Sequence, residues 1–179
     1  MLKKTLSLSV MAFTLLLLEA ALFAEIRPEK IHVADGKKNQ IYLHNGLIIG
    51  GDKAVDSTII QDIRRATNRD FERIVIDLEG SKNGEPLSIQ RPSYFQVAIA
   101  PEERRLTITF WGKPKLSFHP AKVLAAFHRS AVIQSIQLLP QLENDSWTFA
   151  FELKSENPVE VFELSHPVRV IIDIQRKKK

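Results

Sequence analysis

The sequence contains no cysteine among its 179 residues. It therefore cannot form disulfide bonds, attach a lipid to a cysteine or build a zinc site from thiolates. Its five histidines show no His-x-x-x-His spacing, and no Gly-x-Ser-x-Gly, Ser-x-x-Lys or glycine-rich phosphate-binding motif occurs. These absences predict a protein that binds no metal and no cofactor and that is not an enzyme.

Long apolar runs are also scarce, and the clearest one lies near the N-terminus. Lys3 and Lys4 precede the run VMAFTLLLL, and small residues follow as far as Ala24. This order is typical of a secretory signal peptide covering residues 1–24, and it predicts an exported protein. A membrane span needs about 20 apolar residues, so we expect none after cleavage. The alternative is an uncleaved anchor, which would place Glu19 in hydrocarbon.

Positive charge is concentrated at the C-terminus. The chain has 25 Lys and Arg against 21 Asp and Glu, a formal net charge of +4, and it ends in RKKK. The rest of the chain is therefore close to neutral. Nucleic-acid-binding domains concentrate basic charge on a face or helix of the domain itself, so we expect no nucleic-acid partner. We interpret residues 175–179 as a solvated basic tail, with weak attraction to anionic envelope polymers as the alternative.

Short alternating segments separated by turn residues fill the chain after the predicted signal peptide. WTFAFEL is the clearest strand, because Trp147, Phe149 and Phe151 alternate with smaller or polar residues. The pattern predicts an all-β fold, a compact antiparallel β-sandwich of about nine to eleven short strands. One short helix is expected near residues 120–129, where a proline precedes apolar residues at helical spacing. The segment STIIQDIRRATN, residues 57–68, fits a helix or a strand, and its periodicity does not decide between them.

A β-hairpin is expected near the start of the folded part. Asn45-Gly46 separates two apolar runs in QIYLHNGLII, and this dipeptide is the strongest short-range hairpin signal because both residues tolerate positive φ. We place this hairpin in an N-terminal extension, residues 25–58, ahead of a main domain of residues 59–174.

A second hairpin, in YFQVAIAPEERRLTITFW, contains the candidate binding site. Pairing Phe95 with Phe110 buries one face, and the same register places Tyr94 opposite Trp111 on the other face. An amphipathic aromatic pair can stack on a sugar ring while nearby polar groups donate or accept hydrogen bonds. The candidate glycan-binding residues are Tyr94, Gln96, Thr107, Thr109 and Trp111. The alternative is that the two rings pack beneath the predicted helix.

Two similar five-residue motifs occur in the chain: RIVID at residues 73–77 and RVIID at residues 169–173. Each strand places an arginine and an aspartate on one face, about 13 Å apart. Antiparallel pairing with Val75 opposite Ile171 would join Arg73 to Asp173 and Asp77 to Arg169. Parallel pairing would place like charges side by side, which is unfavourable. We therefore expect the two strands to be neighbours linked by these structural charge pairs.

Three segments resemble the AMIN and AMIN-like domains of bacterial cell-envelope proteins: FERIVIDLEG, WTFAFEL and FELSHPVRVIIDI. The resemblance extends over about residues 59–174. It implies a compact β-sandwich, a strand at residues 59–65, and a location in the periplasm or cell envelope. Members of that family accompany amidases and pilus secretins and are implicated in peptidoglycan binding. The chain departs from the family in residues 165–168, SHPV, and in having no attached catalytic domain.

Together these observations predict an exported, non-catalytic binding domain. Its expected partner is peptidoglycan or another cell-wall glycan, bound by aromatic stacking. The alternative is an interaction module of an envelope assembly, which would dock an envelope protein by adding a strand at a sheet edge. An exposed Trp111 beside a shallow polar groove would favour the glycan, and a covered Trp111 with an open apolar edge would favour the protein partner.

Overall fold

The computed structural model describes residues 31–52, 57–82, 85–141 and 145–177, and the predicted signal peptide of residues 1–24 lies outside them. In this part of the chain there are twelve strands and one helix. The strands are β1 Ile31–Val33, β2 Gly46–Gly50, β3 Ser57–Thr67, β4 Phe71–Lys82, β5 Glu85–Leu87, β6 Phe95–Ala100, β7 Arg105–Trp111, β8 Lys115–Leu116, β9 Ile133–Gln141, β10 Ser146–Leu153, β11 Val159–Ser165 and β12 Val168–Gln175. The helix is α1 Pro120–Phe127.

The strands form two mixed sheets, which confirms the predicted all-β, sandwich-like fold. Sheet A has the strand order β1-β2-β6-β7-β10-β9, and sheet B has the order β11-β12-β4-β3-β8, with β5 paired to β4. Most neighbours are antiparallel, as expected, but β1 pairs with β2 and β8 with β3 in parallel. The segment that sequence periodicity left open, residues 57–68, forms strand β3 over Ser57–Thr67.

The core lies between the sheets because alternating side chains of each strand face inward. Phe95 lies opposite Phe110, and Ile99 lies opposite Leu106, in the register that the sequence predicts. These four side chains are buried, as are Phe149, Phe151 and Leu153 of β10. Trp147 stacks on Phe149 with ring centroids 6.1 Å apart and packs against this core.

The two strands that contain the RIVID and RVIID motifs are neighbours in sheet B. β4 and β12 run antiparallel, with Val75 opposite Ile171, so Arg73 lies opposite Asp173 and Asp77 opposite Arg169. This register is the predicted one. Its inward-facing side chains, such as Ile74 and Ile172, are fully buried, so a slip by one residue would expose them to solvent.

Both sides of the sandwich are closed by segments that connect the sheets. On one side, residues 34–43, which we call the strap, run along β11, where the Leu43 and Val159 backbones exchange hydrogen bonds of 2.8 Å. On the other side, α1 packs between β3 and β9 and buries Val123 and Phe127 in the core. His119 caps this helix by accepting a hydrogen bond from the Ala121 N–H at Nδ1.

The hairpin predicted at Asn45-Gly46 does not form. β2 begins at Gly46, and it pairs with β6 and β1 and not with residues 41–43. Those residues belong to the strap and bond to sheet B instead, since Leu43 pairs with Val159. Within the predicted N-terminal extension, residues 25–58, the described residues include β1 and β2, which are strands of sheet A. Contacts distant in sequence therefore override a strong local hairpin signal.

Candidate functional site

Tyr94 and Trp111 lie together on the outward face of sheet A. The Trp111 backbone N–H donates to the Tyr94 backbone oxygen at 3.3 Å. The two ring centroids are 5.4 Å apart, and the ring planes are inclined at 44°. Both side chains are half-buried. The separation and tilt suit an aromatic pair in contact, and each ring keeps part of its surface accessible.

The predicted polar neighbours surround this aromatic pair, and two of them are already hydrogen-bonded within the protein. Gln96 Nε2 donates to Tyr94 Oη at 2.7 Å. The Thr109 and Thr148 hydroxyl oxygens are 2.8 Å apart and share a hydrogen bond. Because amides and hydroxyls have more than one hydrogen-bonding position, both groups keep capacity for a ligand. Thr148 was not among the predicted residues, although the alternation of WTFAFEL places it on this face.

Small side chains continue along the strands from the aromatic pair. Thr107 lies between Ala98 on β6 and Ala150 on β10 in the strand register. These side chains are short, so they project less far from the sheet than the rings of Tyr94 and Trp111. The result is a shallow floor, three strands wide, with an aromatic step at one end.

We call the outward side of sheet A the open face. Among its described residues, formal charges occur only at Arg105 and Glu152, which pair in register at the end of β7 and β10 remote from Trp111. The helix does not lie over it, because α1 directs its buried side chains into the core, where Phe127 lies 5.7 Å from Phe151. The outward residues, in strand order, are Ile31, Val33, Leu47, Ile49, Tyr94, Gln96, Ala98, Ala100, Arg105, Thr107, Thr109, Trp111, Ser146, Thr148, Ala150, Glu152, Ser135, Gln137, Leu139 and Gln141.

The outward side of sheet B holds the predicted charge pairs and several charged residues that the sequence did not reveal. Arg73 Nε and Nη2 donate to the two oxygens of Asp173 at 2.6 and 2.7 Å. Arg169 Nε donates to Asp77 at 2.6 Å, and Arg64 donates to the second oxygen of Asp77. Arg64 could be found only once β3 was known to be the neighbour of β4.

The strap adds a second cation to the buried carboxylate of Asp173. Lys38 Nζ donates to Asp173 and to Tyr42 Oη, and it lies 3.9 Å above the centroid of the Phe71 ring. Burial lowers the pKa of Lys38, but the hydrogen bonds to Asp173 and Tyr42 outweigh it and hold the pKa above its ordinary value. Hydrogen bonding to Asp173 likewise raises the pKa of Arg73. Both side chains therefore remain cations.

Three further buried carboxylates connect separate segments of the fold. Glu160 accepts hydrogen bonds from the backbone N–H groups of Asn39 and Gln40. Glu163 accepts from the Gly51 N–H and from the guanidinium of Arg91. Glu72 accepts from Ser130 Oγ and from the Ala131 N–H. These groups satisfy backbone donors at loops and junctions, so their arrangement is that of structural links.

No three histidine, aspartate or glutamate side chains come together as metal ligands in the part of the chain that the structure describes. Among the same residues, no helix has both the length and the apolar character needed to cross a bilayer.

Comparison with known proteins adds no family assignment. No model of a protein family matches the chain, and a search of curated proteins found no match. The resemblance to AMIN-like domains therefore remains a prediction from three short motifs.

Proposed function

We propose that this protein is an exported, non-catalytic binding domain that attaches to peptidoglycan or another cell-wall glycan through the open face of sheet A. The observation that supports this most directly is the half-buried Tyr94–Trp111 pair on a face whose described residues are charged at only one end. The signal-peptide pattern of residues 1–24 and the AMIN-like motifs support a location in the periplasm or cell envelope.

The chemistry of this face suits an uncharged saccharide. A pyranose ring has apolar C–H faces and a rim of hydroxyl groups, so it can stack on an aromatic ring and hydrogen-bond at its edge. Trp111 and Tyr94 supply the rings, while Gln96 and Thr109 supply polar groups beside them. The shallow floor formed by Ala98, Thr107 and Ala150 would let a linear chain continue along the sheet.

A non-catalytic role is supported by the way in which the buried carboxylates are used. Asp173, Glu72 and Glu163 each accept hydrogen bonds from several protein groups. A carboxylate committed to such links is poorly placed to act as a general acid or base, which must reach a substrate proton.

Co-sedimentation of the purified full chain with cell-wall sacculi tests the proposal. We expect the wild type to pellet with the sacculi and Trp111→Ala to remain mostly in the supernatant, because the larger stacking surface is lost. Tyr94→Phe keeps the second ring and removes only its hydroxyl, so it should still pellet. Leu124→Ala, on the exposed surface of α1, is the control for a substitution elsewhere. Failure of the wild type to pellet would refute glycan attachment.

The second candidate is docking of an envelope protein by strand addition, and the edge strand β9 supports it. β9 is the outermost strand of sheet A, its sequence IQSIQLLPQ contains no charge, and Leu139 is 40% exposed. Edge strands in monomeric proteins are usually protected by charges, prolines or a covering element. Here α1 contacts β9 and Pro140 lies near its end, while residues 139–141 stay exposed. Introducing a charge with Leu139→Lys should abolish capture of an envelope partner, whereas Trp111→Ala, which removes the glycan-stacking ring, should leave that capture unchanged.

A further inference from the structure

A cleft of about 890 Å³ opens at one end of sheet B, away from the open face. Three separate segments line it: the strap with Lys38 and Tyr42, the turn between β3 and β4 with Arg69 and Asp70, and the end of β12 with its first tail residues. The volume lies within the range of small-molecule binding sites, which is roughly 300–1,000 Å³.

Cations outnumber anions on the walls of this cleft. Lys38, Arg69, Arg176 and Lys177 line it, and Asp70 is the only acidic residue among the lining residues that the structure describes. The positive charge of Lys38 is balanced by its ion pair with the buried Asp173. The rim formed by Arg69, Arg176 and Lys177 therefore keeps an excess of positive charge after Asp70 is counted.

The tail residues are held at the rim by the fold. The Arg176 N–H donates to the Asp70 backbone oxygen at 2.8 Å, and Arg176 Nη1 donates to the Asn68 backbone oxygen at 3.2 Å. A guanidinium has several N–H donors, so a single hydrogen bond orients Arg176 and leaves other donors for a ligand. The tail predicted as a solvated end thus begins as one wall of a basic cleft.

Aromatic walls strengthen the attraction of this cleft for an anion. The rings of Tyr42 and Phe71 line it beside the cations, and both are half-buried. Low-dielectric walls focus the field of nearby charges, so a recessed group of cations attracts an anion more strongly than the same cations spread over a flat surface. Burial also raises the pKa of Tyr42 above its ordinary value, which keeps its hydroxyl neutral and able to donate a hydrogen bond.

We propose that this cleft binds a small oligoanion, a ligand with two or more phosphate or carboxylate groups, through Arg69, Arg176 and Lys177. These three cations less Asp70 give the rim a formal charge of +2, which a ligand with two or more anionic groups balances. Guanidinium groups pair with phosphate and carboxylate oxygens in a bidentate manner, and the lysine supplies a point charge. The inference is independent of glycan binding by the open face.

Calorimetric titration of the full chain with pyrophosphate and, separately, with tricarballylate tests the cleft and distinguishes phosphate from carboxylate. The cleft variant is Arg69→Gln with Lys177→Gln, both of which are exposed positions. The matched control is Lys113→Gln with Lys115→Gln, two exposed lysines near β8 that give the same change of net charge. We expect saturable binding of at least one probe, about tenfold weaker in the cleft variant and unchanged in the control.

Three results would overturn the proposal. One is the absence of saturable binding by either probe. Another is an equal loss of affinity in the cleft variant and the control, which would show attraction to net charge alone. The third is unchanged affinity in the cleft variant. As a second measurement, amide chemical shifts should move at Arg69, Gln175 and Lys177 on addition of the bound probe, and shifts confined to other residues would also contradict the assignment. Co-sedimentation of the wild type and the Trp111→Ala variant is a separate experiment, so glycan binding and oligoanion binding can each be refuted without the other.

Discussion

The outward faces of the two sheets differ in how much charge their side chains have. On sheet B, Arg73, Asp77, Arg169 and Asp173 alternate across β4 and β12, and each contacts a partner of opposite charge. On sheet A, the corresponding positions hold alanine, threonine and aromatic residues along most of the strands. Both faces come from strands with the same inward and outward alternation. Alternation therefore decides which side chains face outward, and their chemistry decides what the face can do.

The charged groups on the outward face of sheet B have partners within the protein, whereas the open face of sheet A is available to a ligand. The charges of sheet B pair with one another and with the strap, so they link β4, β12 and residues 34–43. The open face has fewer internal polar partners and keeps accessible aromatic surface. Substitutions on the two faces should therefore affect different properties, stability on sheet B and binding on sheet A.

The largest expected effect is from Asp173→Ala. Its carboxylate is fully buried and accepts from both Arg73 and Lys38, so its removal leaves two cations without their main partner. We expect the free energy of unfolding to fall by about 3 kcal/mol, measured by urea denaturation. Glu103→Ala is the control, since its ion pair with Arg105 is more than half exposed and should contribute less than about 1 kcal/mol. Equal losses in the two variants would contradict a structural role for Asp173.

A smaller loss of stability is expected from Arg169→Ala. Arg169 bonds to Asp77 at 2.6 Å, but Asp77 is partly exposed and keeps Arg64 as a second partner. The free energy of unfolding should therefore fall by only about 1 kcal/mol. Adding Arg64→Ala removes both partners of Asp77 and should cost more than the two single changes combined. Strict additivity in this double-mutant cycle would show that the two arginines act independently.

Thr107→Lys places a charge in the centre of the open face. Thr107 is half-buried between Ala98 and Ala150, and a lysine there can extend into solvent, so the unfolding free energy should change by only about 0.5 kcal/mol. Sacculus binding should nevertheless be lost, because the long side chain occupies the shallow floor. Intact binding by this variant would mean that a ligand does not extend beyond the aromatic pair.

The smallest expected effect is a loss of stability at alkaline pH that depends on the strap. The pKa of Lys38 is raised above its ordinary value of 10.5, so the stabilisation is complete below that value and is lost as the pH rises through the folded-state pKa. The pKa of Tyr42 is raised above 10.0, which acts in the same direction because the unfolded state loses its proton first. Lys38 lowers the pKa of Tyr42, so both groups are replaced together: thermal unfolding between pH 9 and about pH 11 should show a shallower decline in Lys38→Met with Tyr42→Phe than in the wild type. Parallel declines would exclude this linkage.

The registers could be predicted wherever alternation and charge agreed. In β4 and β12, one face is apolar and the outward face has complementary charges on either side of Val75 and Ile171, so one antiparallel alignment satisfied both. In β6 and β7, the same alternation placed Tyr94 beside Trp111. The hairpin at Asn45-Gly46 was predicted on local grounds alone, and it does not form because the Leu43 backbone pairs with Val159. The ion pairs of Lys38 could not be predicted, since nothing in the sequence places the strap beside β11.

The sequence by itself determined which side chains face inward on each strand, the register of the two main strand pairs and the aromatic pair of the open face. Each of these depends on a period of two residues along a strand, and that period is written directly in the order of residues. Only the tertiary structure decided that the strap closes one side of the sandwich and that Arg69 and Arg176 meet at one cleft. Such contacts depend on where sheets end and how loops cross them, which short-range periodicity does not encode.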